Sequence, residues 1–216
     1  MRSDMTPISK IETLQGLMVE MLNKYIPDAE IWFPNIAIRK NIHILTIALA
    51  AKEFLDARGI RSDEYRLLND KIQFSFYPAA SIEDQPDLQR LWSRLLANAL
   101  DPNFESENVR VCFIGILKEL APLDALILDK INSFFLSSEG EEVTSFSKTE
   151  ITKESPEIPD NEYWLSMHNL FRLGCIWPSS FEKVIQIGSS PIGKSGSLDP
   201  ISLTPLGMAF LKACLN

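Results

Sequence analysis

Ile11, Leu14, Met18, Met21 and Tyr25 recur at spacings of three and four. One apolar stripe of that period predicts a helix from about Ser9 to Tyr25, with Pro27 just beyond its end. The stripe can dock on the chain's own core or pair with a second copy. Two heptads are short for an independent coiled coil, which favours the core. Ile38, Ile42, Leu45 and Leu49 mark a second helix from about Asn35 to Arg58, closed by Gly59. Ser62, followed by Asp63 and Glu64, predicts the cap and first turn of a third helix. Pro78 should kink or end it, and Gln73–Tyr77 also reads weakly as a strand. Pro86 fits the first turn of a fourth helix, capped by Asp84 or Gln85 and stopped at Asp101-Pro102. Leu88, Leu91, Trp92, Leu95, Leu96 and Ala99 give it a wide apolar face. A fifth helix, about 108 to 120, buries Cys112, Phe113, Ile116 and Leu117. A sixth opens at Pro122 and carries Leu123, Leu126, Ile127, Ile131 and Phe134.

The pattern then changes. Residues 137–160 mix six glutamates with serines, threonines and prolines, which predicts a solvated acidic loop holding one short helix. No spacing within it matches a calcium loop, so no metal is expected. Asn161 to Leu173 reads as a helix ending at Gly174, and Phe181 to Ile187 alternates as a strand. Gly188 to Ser197 holds three of the nine glycines and is read as a loop. Ile201–Leu203 is a short strand, and Thr204 caps a last helix with Pro205 at its first position. The order helix, Leu173-Gly174-Cys175-Ile176 turn, strand, glycine-rich tip, strand, Leu203-Thr204-Pro205-Leu206-Gly207, helix resembles a winged helix-turn-helix domain. Helices near 122–136 and 147–155 would supply its first two members. The expected architecture is therefore mainly α. A helical N-terminal bundle, 1–117, precedes a winged-helix-like α+β domain, 118–216, with a sheet of two or three short strands.

One motif works against this reading. Gly188-Ser-Ser-Pro-Ile-Gly193-Lys194-Ser195 fits the phosphate-binding pattern G-x-x-x-x-G-K-[ST]. Such a loop needs a helix starting at the Lys-Ser pair, so that backbone N–H groups and the helix dipole face the phosphates. Gly196, Ser197 and Pro200 follow instead, and then a strand. The upstream elements are helices rather than β-α units. Gly188, Gly193, Lys194 and Ser195 are read as the tip of a wing, and no nucleotide or other cofactor is expected.

Composition narrows the classes. The 216 residues carry 21 Lys plus Arg against 29 Asp plus Glu, a formal charge of −8. That balance opposes nucleic acid and anionic membrane as partners, since both need a basic footprint. The sign is local as well as global. From Lys118 onward there are 8 basic and 13 acidic side chains. The recognition-helix candidate has Arg172 near its C-terminal end as its only fixed cation, with Asp160 and Glu162 at its start. A helix that reads the major groove needs the opposite arrangement. No secretory signal is seen, and the most apolar stretch, 44–51, is far short of a membrane span. Cys112, Cys175 and Cys214 sit in apolar contexts, as expected of buried reduced thiols in a cytoplasmic protein. His43 and His168 are the only histidines, and no nucleophile–base set is defined by spacing. Trp164 and Phe171, seven apart, read as core.

The most distinctive stretch runs from Ala80 to Pro102. It holds Ser81-x-Glu83-Asp84 before a helix, then Leu88-x-x-Leu91-Trp92, then Leu95-Leu96-Ala97-x-Ala99. Ile116-Leu-Lys-Glu-Leu120-Ala-Pro122-Leu-Asp124-Ala-Leu-Ile-Leu128 follows, and Arg172–Ile176 with Leu203–Leu211 closes the series. Together these resemble the Abi-alpha (abortive infection) family over about residues 36 to 214. The resemblance implies a role in bacterial defence against phage. It supplies no catalytic residues. Relatives often carry a longer apolar segment ahead of the shared region. The segment here is short, so no integral membrane part is expected. The signature residues Ser81, Glu83, Asp84, Leu91, Trp92, Leu95 and Leu96 read as fold-setting: Ser81 and Asp84 to satisfy N–H groups at the start of the fourth helix, the others as core. The leading reading is a non-enzymatic defence protein that works through contacts with another protein. The alternatives are a winged-helix DNA-binding transcriptional regulator and an enzyme built on Glu83, Asp84 and Trp92.

Overall fold

The computed structural model describes residues 36–105, 109–137, 145–153, 158–179 and 199–215. The expected helix at 9–25, the strand at 181–187 and the glycine-rich loop lie outside these. The described elements are α1 (Ile36–Ala57), a 3-10 turn (Ser62–Glu64), α2 (Asp70–Ala80), α3 (Pro86–Leu100), α4 (Val111–Glu119), α5 (Pro122–Ser137), α6 (Lys148–Thr152), α7 (Asp160–Arg172), β1 (Ile176–Pro178), β2 (Ile201–Leu203) and α8 (Pro205–Cys214). The chain is mostly helical, as the periodicity predicts. β1 and β2 pair antiparallel, with Ile176 opposite Leu203 and Pro178 opposite Ile201. Phe146 adds an antiparallel bridge to Ile201.

α3 runs through the middle and packs on α1, α4, α5 and α8. Leu88, Leu91, Trp92, Leu95 and Ala99 are buried, and Leu96 is partly so. Trp92 is fully enclosed and meets Phe76 of α2 edge-on, with ring centroids 5.2 Å apart. Phe113 of α4 and Phe210 of α8 meet in the same way at 5.8 Å. One core cluster draws on residues from Ile47 to Cys214, across position 117.

Several local expectations change. Ser62 does not open a long helix. Arg61 and Glu64 close a single 3-10 turn, and Tyr65 leaves it in an extended conformation. Tertiary pairing explains this, because the Arg66 N–H reaches the Leu100 carbonyl at 2.8 Å and its guanidinium bonds the Pro102 and Phe104 carbonyls. α2 starts only at Asp70, where the Asn69 side chain accepts the Lys71 N–H at 2.8 Å. Gln73–Tyr77 is helical, since Ile72, Phe76 and Ala79 bury one face. Pro78 is accommodated in the last turn, and the helix ends two residues later.

α1 has the expected length, and Gly59 beyond it takes a positive φ of 74° that a glycine adopts freely. Its packed face, however, is Ile47, Ala51 and Leu55, with Ile44 and Phe54 partly buried. The anticipated stripe points away: Ile42, Leu45 and Leu49 are 54%, 58% and 54% exposed. Cys112 is exposed too, because α4 turns Phe113, Ile114, Ile116 and Leu117 inward. Leu126 of α5 and Phe171 of α7 are likewise exposed rather than core, while Trp164 is partly buried.

Candidate protein-interaction face

The signature stretch builds the joint between α2 and α3. Ser81 is buried and caps the C-terminus of α2 rather than the start of α3. Its N–H bonds the Tyr77 carbonyl, its hydroxyl donates to the Pro78 carbonyl at 3.0 Å, and its own carbonyl lies 3.1 Å from Nδ1 of His43 on α1. Nor does Asp84 serve the backbone of α3; it accepts the Gln85 side chain at 2.9 Å. Glu83 does the work expected of those two. Its carboxylate accepts the Gln85 N–H at 3.0 Å, and its carbonyl accepts the Gln89 side chain at 2.7 Å. Trp92 is walled off from Glu83 and Asp84 by burial in helix packing, so the three do not line a common cleft. A cleft of about 160 Å³ does lie beside α3, between Arg90, Arg94, Asp87 and Asp129, and it includes none of Ser81, Glu83, Asp84 or Trp92. Among the described residues no group of three or more His, Cys, Asp or Glu is placed to hold a metal.

Asn98, the unassigned position of Leu-Leu-Ala-x-Ala, was not singled out by the pattern. It is fully buried, donates Nδ2 to the Ala213 carbonyl at 2.8 Å and accepts from Arg58 at 2.6 Å. Arg58 also pairs with Asp101 at 2.9 Å. One amide thus ties α3 to the end of α1 and to α8. Its sequence signal was a polar residue inside an otherwise apolar run.

α7 presents two faces. Tyr163, Ser166, Met167 and Leu170 pack inward. Burial first, then the charge of Asp199, pushes the Tyr163 hydroxyl's pKa up, so it stays neutral. Outward stand Asn161, Glu162, Leu165, His168, Phe171 and Arg172. Leu165 is 72% exposed and Phe171 42%. The positive groups at this face are neutralised by neighbours. Arg172 pairs with Glu119 at 2.7 Å and bonds the Asn169 side chain. Lys148 pairs with Asp160 at 2.6 Å and lies over the Tyr163 ring. Asn169 in turn donates to Asp124 at 2.7 Å and to the Glu119 carbonyl at 2.9 Å, which fixes α7 against the start of α5.

The turn after α7 is held by the start of α8. Gly174 has a φ of 72°, and the Thr204 hydroxyl donates to its carbonyl. The same oxygen accepts the Gly207 N–H at 2.8 Å, capping α8. A Cβ on Gly207 would lie 2.0 Å from the Cys175 carbonyl oxygen, so only glycine fits there. The two turn motifs read separately along the chain are therefore one contact. Gly188, Gly193, Lys194 and Ser195 lie outside the described residues. The residues that follow them form β2, and α8 starts at Pro205.

No helix among the described residues is long and apolar enough to cross a membrane. No curated protein and no solved structure matches the chain. A family model described as abortive infection alpha matches residues 46–214, which hold the α2–α3 joint, the Asn98 tie and the α7–α8 contact. The chain belongs to the abortive infection alpha family.

Proposed function

We propose that this protein defends a bacterial cell against phage from the cytoplasm, without catalysis, and that the outer face of α7 is where it meets a protein of phage or host origin. α5 to α8, with the two strands and the Phe146 bridge, follow the order of a winged helix and act as such a unit turned toward protein. Family membership supports the defence role. The observation that carries the contact surface is the exposed Leu165 and Phe171 on a helix whose first turn holds Asp160 and Glu162. An apolar patch with an acidic edge suits a protein surface. Phosphates would meet carboxylates where they need cations.

The test is the double variant Leu165→Asp with Phe171→Asp, expressed in a phage-sensitive host. Both side chains are exposed, so the melting temperature should stay within about 2 °C of the parent, as for most surface changes. Protection, measured as plaque reduction over a phage panel, should be lost. Full protection by a folded double variant would reject α7 as the contact face. A parent protein that reduces no plaques would reject the defence reading itself.

A further inference from the structure

The cleft beside α3 is lined by charges of both signs that do not meet. Asp87, Arg90 and Arg94 stand three and four residues apart, so one side of α3 carries all of them, and Asp129 of α5 lines the same cleft. Among the described residues none of the four is in an ion pair. The remaining lining is apolar and includes Leu91, Leu126 and Leu215. We propose that this cleft binds a free α-amino acid with an apolar side chain, its carboxylate held by Arg90 and Arg94 and its ammonium by the two aspartates. The cleft shares no residue with the outer face of α7, so the two readings stand or fall separately.

Arg94 is already placed for this role. Its guanidinium lies 4.6 Å from the centroid of the Phe54 ring, a stacking contact that restricts its plane. Burial, then the charges of Arg90 and Arg58, lower its pKa, while the charge of Asp129 acts the other way. A guanidinium keeps its proton regardless, so the lowering marks a positive charge short of compensation. Arg58 is engaged by Asp101 and Asn98. That leaves Arg90 and Arg94 to take an anion, and their planar forks match the two oxygens of a carboxylate.

Two arginines alone would suit a phosphate as well. Asp87 and Asp129 decide against it, because a dianion on the guanidiniums would also face two carboxylates. A guest that brings one negative and one positive group answers both signs, and the leucines take its apolar part. Size points the same way. The cleft holds about 160 Å³, close to the ~150 Å³ cavity that takes up benzene, so its guest has on the order of ten heavy atoms or fewer. Leucine and methionine are of that size; a nucleotide is far larger.

Calorimetric titration of the full chain with free leucine and methionine tests the site. At least one should bind saturably, with a Kd of about 1 mM or tighter. Isocaproate lacks the ammonium and isopentylamine lacks the carboxylate. Each should bind at least ~10-fold more weakly than leucine, since each forgoes a charge-assisted contact. Arg90→Gln and Asp129→Asn alter exposed side chains, so both variants keep the fold, which a melting curve on each checks. Each should weaken binding by a similar factor, and Lys71→Gln, exposed on α2 and outside the cleft, should leave it unchanged. No saturable binding of either amino acid would overturn the proposal. Binding unaltered by Arg90→Gln would overturn it too. So would isocaproate binding as tightly as leucine, which would mark a site for carboxylates alone.

Discussion

Single residues decide more here than their side-chain class suggests. Asn98 is fully buried, and it satisfies the Ala213 carbonyl and an Arg58 N–H together. Asn98→Ala strands the Ala213 carbonyl, while Arg58 keeps Asp101, and a buried group left unpaired costs about 1–3 kcal/mol. The midpoint of urea unfolding should fall accordingly, while Asn103→Ala, on the exposed turn after α3, should leave it unchanged. The three cysteines split the same way. Cys112 should react at once with a thiol reagent in the native protein; Cys175 and Cys214 should react only on unfolding. Burial, then the charge of Asp124, pushes the Cys175 thiol up to about 12, and burial pushes Cys214 up as well. The unfolded chain loses these protons first as pH rises, so the stability they protect is intact below about pH 8.5. It is lost progressively between there and about 12. Cys175→Ala should flatten part of that alkaline decline in a melting-temperature profile. The sequence could not separate Cys112 from the other two. α4 is nine residues long and almost wholly apolar, so its period does not say which face is inside. Only its packing on α2 and α3 does.

At the level of elements, legibility followed contrast. α3, α7 and α8 each show one polar and one apolar side or a clear cap, and the structure places them within a residue or two of expectation. α1 is apolar on two sides, and its more regular stripe is the one left outside. The start of α2 was missed because a backbone bond from Arg66 to Leu100, invisible in local sequence, holds that stretch out of a helix. The signature reads as fold-setting, and its hydrogen bonds go to other residues than the pattern suggests: Glu83 serves α3 while Ser81 finishes α2. The α7 exit and the α8 start were each legible as turns. Their contact was not, since spacing along a chain carries no information on which turns meet. Gly207→Ala tests that contact. A methyl group driven onto the Cys175 carbonyl must push α8 off the turn, a loss at or above the ~1–3 kcal/mol usual for overpacking. Thermal unfolding of this variant should shift down by several degrees. Gly115→Ala, inside α4 where nothing stands within 4 Å, is the matched control and should hold or raise the transition, since alanine is the better helix former.

For the whole molecule, the charge of −8 acts through its placement. Arg172 and Lys148 are tied to Glu119 and Asp160, so among the described residues the α7 face offers little to phosphate. Duplex DNA should therefore produce no anisotropy change even at about 50 mM salt, where non-specific binding is strongest. Tight, salt-sensitive binding there would restore the regulator reading. Magnesium and ATP at millimolar level should leave the melting temperature unchanged, and an upward shift abolished by Lys194→Ala would reveal a nucleotide site instead. The Asn98 tie has one more consequence, in the time taken to make the protein. Its two ends are 115 residues apart. At roughly 5–20 residues per second of synthesis, the amide of α3 waits on the order of ten seconds for the carbonyl that completes it. During that interval the central helix lacks the element that seals one side of it. A nascent chain is therefore incomplete in its core until α8 leaves the ribosome, and one interrupted before that has no route to the finished shape. Shutting down protein synthesis before α8 would leave the cell with no half-made copies whose core is closed.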